Sequence, residues 1–457
     1  MNLFRGLRLG ALTGALLLIP SAAQAAESLI SALTSAYLNN PSIMSALLNV
    51  YSTAENIVVA KSAKLPSIGA TATATQGYSF DSPFTIDPTV NIGLSYSQRL
   101  YDGSKSDADI EAARALTELS RYSLQNSEQN VLLAVVQAYM GVIRDTQLVQ
   151  LRQENISFFQ KQVDSANDRL NVGEGTKIDV SQAEARLAQG TAAYQSAISS
   201  LANSRASYER YVGHKPQGLS GEVPKLSNLI PKSVDAAVAE GTTSHPAVRM
   251  ARASIRAAQA SSESAAAAFA PTLDFIASIG STVIGASPPQ SSPVPSGSFR
   301  LSLTVPIYSG GRNGANLRKA NINEIKSEVD ALAARDQIQE AVISAWSAYQ
   351  NAAAQISAAE SGVSAGELAL QGVIEQRDVG QLTTLDVLNA QSELTSVREG
   401  LIQARAGRVI ALFALISATG HLTAADLGLK VPIKTGEGYI STVEDVWQEL
   451  SAIDFTE

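Results

Sequence analysis

The chain repeats itself. Pro41 in Asn40-Pro41-Ser42-Ile43 is matched by Pro246 in His245-Pro246-Ala247-Val248, and Leu65-Pro66 by Ala270-Pro271, both at an offset of 205 positions. Further on, Leu100-Tyr101-Asp102-Gly103 matches Ile307-Tyr308-Ser309-Gly310, and Val172-Gly173 matches Val379-Gly380, now at 207. Thr176, Asp179, Val180, Ala183 and Leu187 align with Thr383, Asp386, Val387, Ala390 and Leu394, and Gly213-His214 with Gly420-His421. A duplicated unit of about 170 residues is not a tandem solenoid. What the first half folds into, the second half folds into as well.

Within each unit the hydrophobic period switches in the same order. After Pro41 the spacing of Leu47, Val50, Ala54, Ile57 and Val58 predicts a helix to about Ala63, stopped by Pro66. Two alternating stretches follow, Ile68 to Phe80 and Val90 to Leu100, and the second unit repeats them around Leu273, Phe275, Ala277, Ile279 and Phe299, Leu301, Leu303, Val305. Between the strands of each pair, Gly77 to Pro88 and Ser287 to Gly297 read as exposed loops. From Ser104 to about Leu170, and from Asn313 to about Asp378, there is no proline, which predicts helices about 100 Å long. Helices of that reach need partners along their whole length. Each ends at a Val-Gly and doubles back as a helix of about 35 residues, to Tyr211 and to Ala418.

The first 26 residues read as a secretory signal peptide: Arg5 and Arg8, an apolar run from Leu9 to Ile19, and the small-residue site Ala23-Gln24-Ala25. The mature chain is then expected to contain a first structural repeat over 27–213, a connector over 214–232, a second repeat over 233–420 and a C-terminal segment over 421–457. With no cysteine and a net charge of −8, thiol chemistry, disulfides and nucleic-acid partners are all disfavoured. No stretch of about 20 apolar residues stands out in the mature chain, so entry into a membrane is expected by strands. Four strands of about ten residues suit a tilted membrane barrel but cannot close one, since the smallest need eight. Open edges in lipid leave backbone groups unpaired, so several copies must complete the barrel, and three would supply twelve strands.

The ordered set of helix, Asn-Pro, Leu-Pro, strand pair, Tyr-Asp-Gly or Tyr-Ser-Gly-Gly turn, long helix and Val-Gly-xx-Thr-xx-Asp-Val hairpin, given twice, resembles the TolC outer membrane efflux family over essentially the whole mature chain. The resemblance implies an α+β membrane protein: a homotrimer whose twelve-stranded outer membrane β-barrel continues into a twelve-helix α-barrel in the periplasm. An equatorial belt is then expected from Leu219 to Lys232 and from the stretch after His421. The implied function is export of drugs, small toxic compounds and proteins, as the outer component of a tripartite efflux pump or type I secretion system. Its partners would be outer membrane lipid, a periplasmic adaptor and an inner membrane transporter of RND or ABC type. The alternative is a trimeric coiled-coil stalk or adhesin without transport, which calls for long heptads running in one direction.

The resemblance places the periplasmic mouth at the two hairpin tips. Asp179, Asp386, Arg377 and Asp378 are the expected gate residues, and Val172, Gly173, Thr176, Val379, Gly380 and Thr383 the expected adaptor-docking tips. The same residues have local readings. Thr176-x-x-Asp179 and Thr383-x-x-Asp386 have the spacing of a capping box, and Gly173 and Gly380 that of left-handed helix ends. Where the best-known family pattern closes the mouth with a tyrosine and an arginine, this chain has Arg377 and Leu382, and Asn389 replaces a second aspartate; contacts of Arg377 with Asp378 or Asp386 are expected instead. Tyr78, Phe80, Tyr96, Phe275 and Phe299 are candidates for interfacial aromatic girdles. His214, His245 and His421 lack the spacing of a metal site, and no phosphate loop or nucleophile elbow is present, so neither cofactor nor enzyme activity is expected.

Overall fold

The computed structural model describes residues 26–80, 85–224, 226–284 and 294–444. The signal peptide reading therefore falls outside the described residues, except for Ala26. The duplication is plain in the elements. The first repeat is α1 (Leu29–Asn39), α2 (Pro41–Ser62), β1 (Ser67–Ser79), β2 (Thr85–Tyr101), α3 (Lys105–Asn171) and α4 (Lys177–Val212). The second is α5 (Val234–Ser244), α6 (Pro246–Ala267), β3 (Thr272–Ile284), β4 (Val294–Thr304), α7 (Arg312–Asp378) and α8 (Thr384–Ala418), followed by α9 (Glu437–Glu444). α3 and α7 have 67 residues each, and α2 and α6 have 22 each.

The helices form four rods side by side. α3 lies between the rod made of α2 and α4 and the rod made of α6 and α8, and α7 closes the far edge. The joint between stacked helices is a single residue in the first repeat. Asn40 accepts from Ser42 N–H at 2.9 Å to cap α2, while its amide donates to the Tyr211 carbonyl at the end of α4 at 3.1 Å. In the second repeat His245 caps α6, accepting from Ala247 N–H at Nδ1 over 3.1 Å. Because α3 and α4, like α7 and α8, run in opposite directions, the helices return as hairpins and do not form a one-way stalk. α1 and α5, the helices ahead of Pro41 and Pro246, are short and begun by Ser28 and Ser233 caps.

The sheet is antiparallel with strand order β1-β2-β3-β4. Its register separates two faces: Ile68, Ala72, Val90, Ile92, Leu94, Tyr96, Phe275, Ile279, Phe299, Leu301 and Leu303 share one, and Thr71, Thr73, Asn91, Ser95, Asp274, Ser278, Arg300 and Ser302 the other. On the polar face Arg99 pairs with Asp274 at 3.0 Å. On the apolar face Tyr96, Phe275 and Phe299 form a lateral row, with ring centroids 6.0 and 6.4 Å apart. Tyr78 and Phe80 lie at the opposite end of the sheet, beside the β1–β2 turn.

Two expectations need correcting. The strands run further than their loop-like composition suggested, with β1 and β2 paired out to Ser79↔Thr85 and β4 beginning at Val294. Pro88 is tolerated because the β2–β3 pairing begins only at Thr89, and Pro295 because β4 is an edge strand. The β3–β4 loop positions 287–293 lie outside the described residues. In addition, Pro41–Ser62 and Thr384–Ala418 do reach the length and apolar content of a membrane span. Ala, Val and Ile raise their average, but both helices pack along α3 and carry polar faces.

The main core lies midway along the rods, where α1, α2 and α4 meet α3. Leu33, Tyr37, Leu132, Val135, Tyr139, Tyr208 and Phe413 are all buried there. The C-terminal stretch folds onto this region: Glu128 accepts from Ala424 N–H at 2.5 Å, Lys434 donates to the Tyr37 carbonyl at 3.0 Å, and Tyr439 stacks on Tyr51 at 4.2 Å. The connector joins from the other side, Glu27 forming a parallel bridge with Leu219.

Candidate functional site: the two hairpin tips

Both tips are built by the same local chemistry. α3 ends as Val172 N–H bonds the Asp168 carbonyl at 3.2 Å, and Gly173 turns left-handed at φ +81°. α7 ends with Val379 N–H on the Glu375 carbonyl at 3.3 Å and Gly380 at φ +79°. Only glycine takes this conformation without strain. Val172 and Val379 are left exposed at the apices.

The returning helices start with reciprocal caps. Thr176 Oγ1 accepts from Asp179 N–H at 3.2 Å while Asp179 Oδ2 accepts from Thr176 N–H at 3.0 Å. Thr383 and Asp386 repeat this at 3.3 and 2.8 Å. One carboxylate oxygen is thus committed to the cap, and Oδ1 of each has no hydrogen-bond partner among the described residues. Hydrogen bonds from the Thr383 hydroxyl and N–H hold the Asp386 carboxyl below the usual carboxylate range.

Arg377 is buried and points away from the caps. Its Nε and Nη2 reach Asp378 at 3.0 and 2.7 Å, and its Nη1 donates to Gln162 Oε1 on α3 at 2.9 Å. The structure places no bond between Arg377 and Asp386. Asp386 is already held by its own helix start, and the α3 face supplies Arg377 with a closer acceptor.

Sequence reasoning missed the residues that join the two hairpins. Arg186 on α4 donates to Asn389 on α8 at 2.8 Å. Higher up, Gln391 and Thr395 of α8 donate to Asn155 of α3 at 3.0 and 3.2 Å in a buried network. Between these polar ties lies a small apolar cluster of Phe159, Val163, Ala166, Ala183 and Leu388. Further from the tips, α3, α4 and α8 enclose a groove of about 450 Å³ in which Arg152 pairs with Glu399 at 2.5 Å. Burial raises the carboxyl pKa of Glu399 despite that arginine. Among the described residues no cluster of His, Asp and Glu could hold a metal. The arrangement ties the two hairpins together beside the charged helix starts, through the Arg186–Asn389 bond, the buried Asn155 network and the apolar cluster between them.

Comparison with known proteins agrees with the duplication. The profile of the Outer membrane efflux protein family matches residues 32–214 and again 240–421, one match for each repeat. The chain is 35% identical over 432 residues to Outer membrane efflux protein BepC of Brucella suis, covering 94% of this chain and 93% of that protein. It is 25% identical over 428 residues to Outer membrane protein TolC of Escherichia coli, covering 90% and 86%. Among solved structures, the Campylobacter jejuni CmeC outer membrane channel superposes with a TM-score of 0.78 at 15% identity, covering 91% of this chain and 89% of that one.

Proposed function

The chain belongs to the Outer membrane efflux protein family, and from that premise we propose that three copies form a continuous export duct whose periplasmic end opens at the tips described above. The protein is an outer membrane channel component and not an enzyme. The observation that carries the duct reading is an asymmetry between equivalent helices. α3 buries residues all the way from Ser106 to Ala166, whereas α7, of equal length and at the equivalent place, buries only Asn313, Val342, Ala352 and Arg377. Ile322, Ile325, Val329 and Leu332 of α7 stay exposed at helical spacing. An apolar edge on the rods, beside the open strand edges β1 and β4, calls for copies of the same chain on both sides. Native mass measurement of detergent-solubilised protein tests this; a stable monomer would overturn it.

Threefold assembly would put six carboxylates, from Asp179 and Asp386, around one mouth. At an effective dielectric near 20, two such charges ~8 Å apart repel by ~2 kcal/mol, enough to favour cations and to be relieved by divalent ions. Planar-bilayer recordings of the Asp179→Ala, Asp386→Ala double variant test this. Unchanged ion selectivity would remove the idea.

The exposed tips, Val172, Gly173 and Thr176 with Val379, Gly380 and Thr383, are the proposed seat of a periplasmic adaptor, with an inner membrane transporter of RND or ABC type behind it. Segments 214–232 and 421–457 would form the belt around the middle of the duct, a reading favoured by the bond from Tyr139 of α3 to Ser220 and by the packing of Ala424, Lys434 and Tyr439 on α1, α2 and α3. The clients are proposed to be small toxic compounds, with polypeptides as the second class. A deletion strain separates the two: hypersensitivity to dyes and detergents supports the first, and a depleted secretome with normal resistance supports the second.

A further inference from the structure

Beyond α8 the chain leaves the rods and folds back over them as an arm, residues 421–444, fastened at three places. At its root Glu128 of α3 accepts from Ala424 N–H at 2.5 Å, and Gln129 donates to the Gly420 carbonyl at 2.6 Å. Midway, Lys434 Nζ donates to the Tyr37 and Leu38 carbonyls near the end of α1, at 3.0 and 3.1 Å, and its N–H donates to the Tyr37 hydroxyl at 2.7 Å. At the far end Tyr439 donates to Glu55 at 2.6 Å, Glu444 meets Lys61 at 3.0 Å and Arg114 at 2.7 Å, and Arg121 pairs with Glu437.

The fasteners differ in how they answer to acid. Hydrogen bonds from Arg114 and Lys61 hold the Glu444 carboxyl below its usual range, so the far end stays paired in mild acid. The root is the opposite case. Glu128 is 5% exposed, and the Ala424 N–H is its one hydrogen-bond donor among the described residues. Burial pushes its carboxyl up to about 7. From the arm, the Ala424 N–H and Lys434 oppose that rise and Asp426 adds to it. From α1 the Tyr37 hydroxyl faces it. Behind Asp426 stands His421 at 3.2 Å, which also reaches Glu240 of α5 at 2.9 Å.

We propose that Glu128 is a proton latch for this arm: protonated, it stays in the core against Ala424 and the arm lies closed; ionised, it is drawn to water and the root lifts off α3. Leu422, Ala424, Leu427 and Leu429, which complete the main core, leave with it. The closed arm keeps the Glu128 proton up to about pH 7 and the open arm only up to about 4.5, so closure is firmest in acid and weakens as pH rises through that window. By linkage the opening constant grows roughly fortyfold between pH 5 and pH 7 and levels off above. All these contacts lie within one chain, so the latch does not depend on the proposed assembly.

Amide exchange of the full-length protein, followed by mass spectrometry on peptides from 421–444 and corrected for the intrinsic pH dependence of exchange, reads the opening directly. The natural protein should open its arm roughly fortyfold more at pH 7 than at pH 5. Glu128→Gln, which keeps the shape and the acceptor without the charge, should show one opening constant across that range. His421→Gln should keep the dependence, because the proton that matters is on Glu128. Arm protection that does not vary with pH in the natural protein, or a dependence that survives Glu128→Gln, overturns the inference. Loss of the dependence in His421→Gln overturns it too, and its survival there supports it, even if the Glu128 variant does not fold.

Discussion

Arg186 donates to Asn389 across 2.8 Å, a bond between the turn-back helices of opposite repeats just above the tips. It lies where the proposed mouth must part, since opening requires the second hairpin to move away from the first. Replacing Arg186 by alanine removes a charged donor worth about 1 kcal/mol per copy, about a fivefold shift toward the open form for each. Single-channel recordings should show larger conductance for Arg186→Ala and for Asn389→Leu. Conductance equal to that of the natural protein in both would exclude this bond from the closed state.

The caps make a second prediction. Thr176→Val deletes the acceptor for Asp179 N–H and should cost about 1 kcal/mol, seen as faster amide exchange in the first turn of α4 without loss of assembly. Thr383→Val should act on charge as well. With the hydroxyl donor gone, the Asp386 carboxyl returns toward its ordinary pKa, so cation selectivity should fade at a higher pH than in the natural protein. Selectivity curves that overlay across acid pH would show that Asp386 does not set it.

His245 offers a test by acid. Burial pushes its pKa down to about 4, and its Nδ1 must stay unprotonated to cap α6. The unfolded chain binds the proton near 6.5, so between about 6.5 and about 4 the unfolded state holds more protons than the folded one. The contribution of this group is present above 6.5 and is lost as pH falls through that window. Glu128 works the other way: burial raises its carboxyl to about 7, so its ionisation costs stability as pH rises from about 4.5 to about 7. The comparison must therefore be between variants. His245→Asn, the residue the first repeat uses at Asn40, should lose less Tm than the natural protein between pH 7 and pH 4.5. An equal loss would show that His245 is protonated in the folded state.

Arg300 lies on the polar face of the sheet, which a barrel in lipid must turn toward its lumen, and is predicted to act on ions independently of the mouth. The rods put about 100 Å between them, some ten Debye lengths at 0.1 M salt. Arg300→Glu should move the reversal potential toward cations in the Asp179→Ala, Asp386→Ala background as well as in the natural one. No movement in either background would place the side chain out of the ion path.

Much of this architecture was legible because its signals are local. Pro41 and Pro246 mark helix starts, Gly173 and Gly380 mark helix ends, and the alternation from Ile68 onward marks a face, so the order and lengths of the elements followed from neighbours in sequence. The caps at Asp179 and Asp386 were legible for the same reason, being three residues from their threonines. Arg377–Gln162 and Arg186–Asn389 were not. Their partners lie 215 and 203 positions apart, and which polar residue on a helix face meets which is decided by the rotation of the rods about one another. The strand ends were misread because Gly77, Asp87 and Pro88 have turn composition, while a free side on β2 lets a proline stay in the ladder.

The equal lengths of α3 and α7 bear on how such a protein can evolve. A residue gained in one long helix turns everything beyond it by about 100° and advances its tip by about 1.5 Å, taking its side chains off their partners and its apex out of level with the other. Reach across the space between two membranes can therefore lengthen or shorten only by matched insertions in both halves, in steps close to whole turns. A lineage adapting to a wider or narrower envelope would carry paired indels of similar size, about two hundred positions apart.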